Sequence, residues 1–149
     1  MRIYLDMCCF NRPYDDQSQL RISLESQAKL RIQELIANNE IDLITSYVLQ
    51  HENNDNPYEG RRNRIDSFAR KYSTDYVPSN KMEEVESLAE KIKEAGVKDK
   101  DALHVACAIL SDCEYFISTD DRLLKYRDDR IKLVNPVDFI RMEVDIDEY

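Results

Sequence analysis

Acidic residues stand where apolar segments of this sequence begin or end. In KDKDALHVACAILSD, residues 98–112, two acids precede a run from Ala102 to Leu110 that only His104 interrupts. Such a run predicts a helix buried on several faces, so carboxylates at its start need an explanation. Carboxylates can bind a divalent cation or transfer a proton. The acids placed in this way are Asp6, Glu52, Asp99, Asp101, Asp120 and Asp121.

Taken singly, each of these acids also has a purely structural explanation. Asp99 or Asp101 can cap the helix that begins there, and Asp120 can cap another helix. Asp6 can start a turn, and Glu52 can be a solvated helix residue. Position in the fold therefore decides between a structural and a chemical role.

Taken together, the acids predict a metal site. Several carboxylates at one place would repel one another unless cations lie between them. Such oxygen ligands suit Mg²⁺ or Mn²⁺, and a pair of these ions about 3.5–4 Å apart can activate water for phosphodiester cleavage. Of the two histidines, His104 is interpreted as a hydrogen-bonded core residue rather than a general base, and the role of His51 is left open.

The elements that would position these acids are strands and helices in alternation, which is the pattern of a parallel sheet covered by helices on both faces. In such sheets, ligands bind beyond the carboxyl ends of the strands, which is where the acids fall. Residues 7–17 are expected to form a loop. Strands are expected at 2–5, 41–45, 74–78, 114–118 and 132–136, and helices at 18–38, 46–53, 61–72, 79–95, within 98–112, from Asp120 onward and at 137–142.

Composition favours one globular, cytoplasmic domain of 149 residues, with an acidic tail at about 143–149. No apolar run is long enough to span a membrane, and the first residues do not resemble a signal peptide. The four cysteines include no CxxC pair, which favours reduced thiols over a disulfide framework or a zinc site. The net charge of −9 argues against a broadly basic nucleic-acid surface, but metal-binding acids contribute to such a charge.

Four segments of the chain resemble the PIN-domain nucleases, in the order and spacing of that family. They are YLD at 4–6, TSYVLQHE at 45–52, KDALHVACA at 100–108 and FISTDDRLLK at 116–125. The resemblance implies a PIN-like three-layer α/β/α fold with a central parallel sheet of four to five strands. It also implies an endoribonuclease that depends on Mg²⁺ or Mn²⁺. Such a protein would be the toxin of a toxin–antitoxin pair, would bind an antitoxin protein and would form a homodimer.

Carried over to this sequence, the resemblance assigns four catalytic and metal-binding acids. The third acid is assigned to Asp101 rather than Asp99 because the Ala-Leu-x-x-Ala run follows it directly. The fourth is assigned to Asp120 rather than Asp121 because it stands two residues after Ser118. After the first acid the family usually has Thr or Ser, whereas this chain has Met7. The four acids are Asp6, Glu52, Asp101 and Asp120, and the residues expected to support them are Ser118, Asp99, Asp121 and Asn11.

The best candidate for contact with RNA is the basic segment GRRNR at 60–64, because phosphate contacts need positive side chains. A solvated helix face explains the same charges equally well, and the surface can also meet an acidic antitoxin. The predicted RNA contacts are Arg12, Arg61, Arg62 and Arg64.

Two other functions are compatible with part of the same sequence pattern. One is a catalytically weak or inactive module on the same fold that binds nucleic acid or protein. The other is a Mg²⁺-dependent phosphatase, which would need a second Asp two residues after the first, where this chain has Cys8.

Overall fold

One parallel sheet of five strands organises the molecule, in the order β3-β2-β1-β4-β5. The computed structural model describes residues 1–144, so residues 145–149, most of the expected acidic tail at 143–149, lie outside the described residues. Each predicted strand is present, within two residues of its expected bounds. The strands are β1 (Arg2–Leu5), β2 (Asp42–Ser46), β3 (Ser73–Val77), β4 (Tyr115–Ile117) and β5 (Lys132–Val134).

Helices follow the strands and cover both faces of the sheet. Three short 3₁₀ turns, Arg12–Tyr14, Ser79–Lys81 and Leu123–Lys125, and a π turn at Ile140–Val144 complete the regular structure described. The α-helices are α1 (Met7–Asn11), α2 (Leu20–Ala37), α3 (Tyr47–Asn54), α4 (Glu59–Tyr72), α5 (Met82–Lys93), α6 (Asp99–Leu110) and α7 (Pro136–Phe139).

Two apolar cores lie on opposite faces of the sheet. On one face, α5 and α6 pack against Tyr4, Ile44 and Phe116. On the other, α1, α2, α4 and α7 pack against strand residues that include Ile3 and Leu5. Strands buried on both faces are continuously apolar rather than alternating, as β1 is. The predicted three-layer α/β/α arrangement is therefore confirmed.

The expected loop at 7–17 is wrong in its first half, because residues 7–11 form α1. Asp6 caps this helix by accepting a hydrogen bond from the backbone nitrogen of Met7 at 2.8 Å. Cys9 and Phe10 on α1 are buried in the core. The helix expected from Asp120 is also wrong, since only the 3₁₀ turn Leu123–Lys125 forms there.

No helix among the described residues is both long enough and apolar enough to cross a membrane.

Candidate metal centre

The order of the strands brings the predicted acids to one edge of the sheet. Strand β1 lies between β2 and β4, so residues that follow these three strands meet at their carboxyl ends. Asp6 directly follows β1, Asp120 comes shortly after β4, and α3 carries Glu52 after β2. Asp101 is in the first turn of α6. We call Asp6, Glu52, Asp101 and Asp120 the acid cluster.

Asp6 is a buried carboxylate held on both oxygens. Its Oδ1 accepts from the backbone nitrogen of Met7, and its Oδ2 accepts from the hydroxyl of Ser118 at 2.9 Å. Its own backbone nitrogen donates to the carbonyl of Ile117 at 2.9 Å. A buried carboxylate is stable only with such partners. Asp6 is thus fixed from both β1 and β4.

Asp101 shows most clearly that the acids are close together. Burial, and then the negative charges of Asp6 and Asp120, raise the pKa of Asp101 to about 6. Glu52 adds to this effect, and His104 acts against it. Like charges within a few ångströms disfavour the ionised form of a carboxyl group in this way.

Asp120 lies in a tight turn beside Asp101. Its Oδ1 accepts from the backbone nitrogens of Arg122 and Leu123, at 3.0 and 3.3 Å. Its own backbone nitrogen donates to the hydroxyl oxygen of Ser118 at 3.1 Å. Asp101 and Asp120 line the same small cavity of about 130 Å³. Ser118 therefore contacts two members of the acid cluster, Asp6 and Asp120.

Glu52 is held by His104, whose Nε2 lies 3.1 Å from Glu52 Oε2. Lys100 is a weaker partner, with its Nζ at 4.0 Å and an exposed side chain. Burial raises the pKa of Glu52, but the hydrogen bond and charge of His104, together with Lys100, outweigh burial, so this pKa lies below its ordinary value. Glu52 thus stays ionised beside the other acids.

The site also contains a thiol. Cys8 Sγ lies 3.5 Å from Asp6 Oδ2 and 3.4 Å from Ser118 Oγ, and it accepts a hydrogen bond from the backbone nitrogen of Thr119 at 3.3 Å. All four cysteines are free, as the sequence predicts. Cys8 therefore supports the loop after β4 from α1.

Three residues predicted to support the acids have other partners. Asp99 is exposed and pairs with Lys93 Nζ at 3.2 Å. It does not cap α6, whose N-cap position is held by Lys98 without a side-chain hydrogen bond. Asp121 is exposed and accepts two hydrogen bonds of 2.7 Å from Arg21. Asn11 Oδ1 accepts from Asn56 Nδ2 at 3.4 Å.

The four arginines predicted to contact RNA differ in how far other residues of the protein already engage them. Arg12 forms ion pairs with Asp15 and with the buried Glu25, both at 3.1 Å. Arg64 is exposed on α4. Arg61 and Arg62 on the same helix also hold parts of the fold: Arg61 lies over the rings of Tyr14 and Tyr58, and Arg62 Nη1 donates to the carbonyl of Asn56 at 2.8 Å.

His104 is the site residue whose contact with an acid was not expected from the sequence. The interpretation as a hydrogen-bonded core residue fits its complete burial and its bond to Tyr4. Its second partner, however, belongs to the acid cluster. The signal available was spacing, because a residue three positions after Asp101 lies on the same face of a helix.

The side chains fit a divalent cation. Asp6, Glu52 and His104 each offer one ligand atom, and these atoms lie within 4.8 Å of one another. The negative charges around Asp101 are the kind of repulsion that a bound cation relieves. Carboxylate ligands suit Mg²⁺ and Mn²⁺, and an imidazole adds preference for a transition metal.

Comparison with known proteins shows which solved structures share this fold. No family model and no curated protein matches the chain. Among solved structures, a chain of VapBC2 from Rickettsia felis, bound to a DNA fragment from their promoter, has a TM-score of 0.58 and 14% identity; the match covers 91% of this chain and 98% of that one. A chain of FitAcB from Neisseria gonorrhoeae has a TM-score of 0.56 and 11% identity, covering 90% and 97% respectively. The predicted PIN-like fold is confirmed.

Proposed function

Starting from this PIN-like fold, we propose that the chain is a divalent-metal-dependent endoribonuclease that hydrolyses phosphodiester bonds of RNA. The observation that carries the proposal is the convergence of the acid cluster at the carboxyl edge of β1 and its neighbours. An edge with several carboxylates is stable when a cation is bound there. The RNA substrate is the one that the resemblance to PIN-domain nucleases implies.

In this proposal, Asp6, Glu52, Asp101 and Asp120 hold Mg²⁺ or Mn²⁺. A cation bound there would act as a Lewis acid and would lower the pKa of a water that it binds. Ser118 orients Asp6 by donating to its Oδ2, and keeps the Asp120 turn beside it. Asp101 is in the first turn of the buried helix α6, where the charges of these two acids act on its carboxyl group.

RNA phosphates are proposed to contact the basic face of α4. Arg64 is exposed there and is the freest of the predicted contacts. Arg12, Arg61 and Arg62 remain proposed contacts that also stabilise local structure. Asp99, Asp121 and Asn11 are proposed to shape the surroundings of the acids through their own partners rather than by binding the cation.

We also propose that the chain is the toxin of a toxin–antitoxin pair, that it binds an antitoxin protein, and that it forms a homodimer. Two exposed apolar side chains support a protein partner, since Leu20 and Leu24 lie one turn apart on the same face of α2. Light scattering on the purified protein measures the dimer. Co-purification with the product of an adjacent gene tests the antitoxin.

Metal-dependent cleavage is the direct test of the enzyme. We expect the purified chain to cut labelled single-stranded RNA with Mn²⁺ or Mg²⁺ and to stop when EDTA is added. Asp6→Asn and Asp101→Asn should each lower the rate by at least about 100-fold, since each removes a charge from the cation site. The matched control is Glu90→Gln on α5, which also replaces a carboxylate by an amide and should retain the wild-type rate, because Glu90 is exposed and pairs with Lys93 at the surface.

Two results would count against the enzyme: cleavage that persists in EDTA, or full activity of both Asp6→Asn and Asp101→Asn.

The alternative function is a binding module on the same fold. It is favoured by the contacts of Glu52, whose charge His104 and Lys100 already offset in part. RNA binding without cleavage, and a melting temperature that Mn²⁺ does not raise, would support that alternative.

A further inference from the structure

A buried chain of hydrogen bonds reaches the acid cluster from inside the protein. Ser46 Oγ lies 2.6 Å from the hydroxyl of Tyr4, and that hydroxyl lies 2.6 Å from His104 Nδ1. His104 Nε2 then lies 3.1 Å from Glu52 Oε2. Ser46, Tyr4 and His104 are all buried. This series of hydrogen bonds thus runs from β2 through β1 to α6 and ends on Glu52.

In each of these hydrogen bonds the donor can be assigned, and every donor lies on the side of Ser46. Ser46 Oγ accepts from the backbone nitrogen of Leu49 at 3.1 Å, which leaves its own proton for Tyr4. An ionised carboxylate only accepts, so His104 Nε2 donates to Glu52 Oε2, and the hydroxyl of Tyr4 then donates to Nδ1 of the neutral ring. A neutral imidazole that accepts at Nδ1 carries its proton on Nε2. That proton points to Glu52.

Core packing alone does not explain these contacts. An apolar residue at position 104 would fill the same space in the core, but it would leave Tyr4 and Glu52 without this hydrogen-bond partner. The other partner of Glu52, Lys100, is exposed and its Nζ lies 4.0 Å away, so it constrains the carboxylate little. His104 is therefore the group that fixes where Glu52 points.

We propose that His104 is a positioning residue, which holds the carboxylate of Glu52 in the acid cluster while Tyr4 and Ser46 hold His104. The proposal rests on the proposed function, since it assumes that the cluster binds a divalent cation. Groups that hydrogen-bond to ligands in this way commonly change metal affinity when they are removed. His104 thus acts on the metal through Glu52 rather than by binding it.

The test is the affinity for Mn²⁺, measured by isothermal titration calorimetry on wild-type protein and variants. We expect His104→Ala to weaken Mn²⁺ binding by roughly 10- to 100-fold. His104→Gln should weaken it less, because its amide can still donate to Glu52. Tyr4→Phe keeps the imidazole but loosens it, so a smaller loss is expected. The matched control is His51→Gln, at an exposed position on α3, which should bind Mn²⁺ as wild type does.

A double-mutant cycle with Glu52→Gln separates positioning from an independent role. If His104 acts through Glu52, then His104→Ala should add little to the loss caused by Glu52→Gln. Circular dichroism reports whether each variant folds. Should His104→Ala fail to fold, the cycle is measured with His104→Gln.

Three results would overturn the proposal. They are unchanged Mn²⁺ affinity in both His104 variants, fully additive losses in the cycle, and a directly bound imidazole nitrogen in pulsed electron paramagnetic resonance spectra of the Mn²⁺ complex. A wild-type protein that binds no divalent cation would overturn this proposal and the proposed function together. Wild-type protein that binds Mn²⁺ but leaves RNA intact would contradict only the nuclease, and the affinities of the variants would still decide the role of His104.

Discussion

At the scale of single residues, Asp101 links stability to function. Its raised pKa of about 6 means that the folded, metal-free protein keeps a proton that the unfolded chain loses near pH 3.8. Between about pH 4 and about pH 6, deprotonation of Asp101 therefore lowers the free energy of the unfolded state more than that of the folded state. The free energy of unfolding of the metal-free protein consequently falls as the pH rises through this range. A bound cation favours the ionised form and reverses the preference.

We therefore expect Asp101→Asn to raise the stability of the metal-free protein at neutral pH while removing its activity. The neutral amide no longer repels Asp6 and Asp120. Urea unfolding in EDTA, at pH 4 and at pH 7, measures the effect as a difference between variant and wild type. The advantage of Asp101→Asn should be larger at pH 7. An equal difference at the two pH values would contradict the assignment.

The positions of the acids could be predicted from sequence because Asp6 and Asp120 come after strands, Asp101 is in the first turn of a helix, and Glu52 lies on the helix that follows β2. A parallel sheet places such residues at one edge whatever the details of packing. The bond between His104 and Glu52 could not be predicted. It joins residues far apart in sequence and depends on side-chain rotamers inside the core, which hydrophobic periodicity does not encode.

At the scale of elements, α2 is tied to the loop that carries Asp120. Arg21 on α2 donates to the carbonyl of Thr119 at 3.1 Å and pairs with Asp121. Glu25, one turn later and buried, pairs with Arg21 at 3.3 Å and also accepts from Asn135 after β5. The ion pairs of α2 therefore brace the turn beside the acid cluster.

This bracing predicts a large difference between two glutamates on α2. Glu25→Gln should destabilise the protein by about 1–3 kcal/mol, since the neutral amide leaves the donors of Arg12, Arg21 and Asn135 poorly matched in a buried place. Glu34→Gln, at an exposed position on the same helix, should change stability by less than about 0.5 kcal/mol. Urea unfolding at pH 7 measures both. Equal effects would show that Glu25 does not brace the loop.

The strands and long helices were predictable because their apolar patterns are long enough to show a period. Helix α1 was missed, because a helix of five residues is too short for a period and Pro13 and the acids after it indicate a loop. The helix expected after Asp120 is only a turn. There the side chain of Asp120 bonds to the backbone nitrogens of Arg122 and Leu123, and a single 3₁₀ turn follows.

At the scale of the whole molecule, a net charge of −9 means that the proposed binding of RNA depends on local positive groups. Distant negative charges are screened beyond roughly 8–10 Å at physiological salt, so an exposed arginine can still hold a phosphate. A bound cation would add to this attraction. Affinity for RNA should therefore depend on both the metal and the basic face of α4.

We expect Arg64→Ala to raise the KM for RNA several-fold while leaving kcat unchanged. The loss of one phosphate contact should also reduce the slope of log affinity against log salt by about 0.7. The control is Arg127→Ala, which removes an exposed charge after the turn at Leu123–Lys125. Salt titrations of RNA binding and steady-state kinetics measure both effects. An unchanged KM and slope for Arg64→Ala would exclude it as a phosphate contact.

The central place of β1 also has a consequence for the order of synthesis. This strand precedes the other four in the sequence, yet Leu5 pairs with Ile117 of β4, and Asp6 accepts a hydrogen bond from Ser118. Translation proceeds from the N-terminus, so β1 can pair with β2 early but meets its second partner, β4, only much later. A nascent chain that stops before β4 has no completed acid edge. The acid cluster can therefore form only after β4 and the turn that carries Asp120 have been translated.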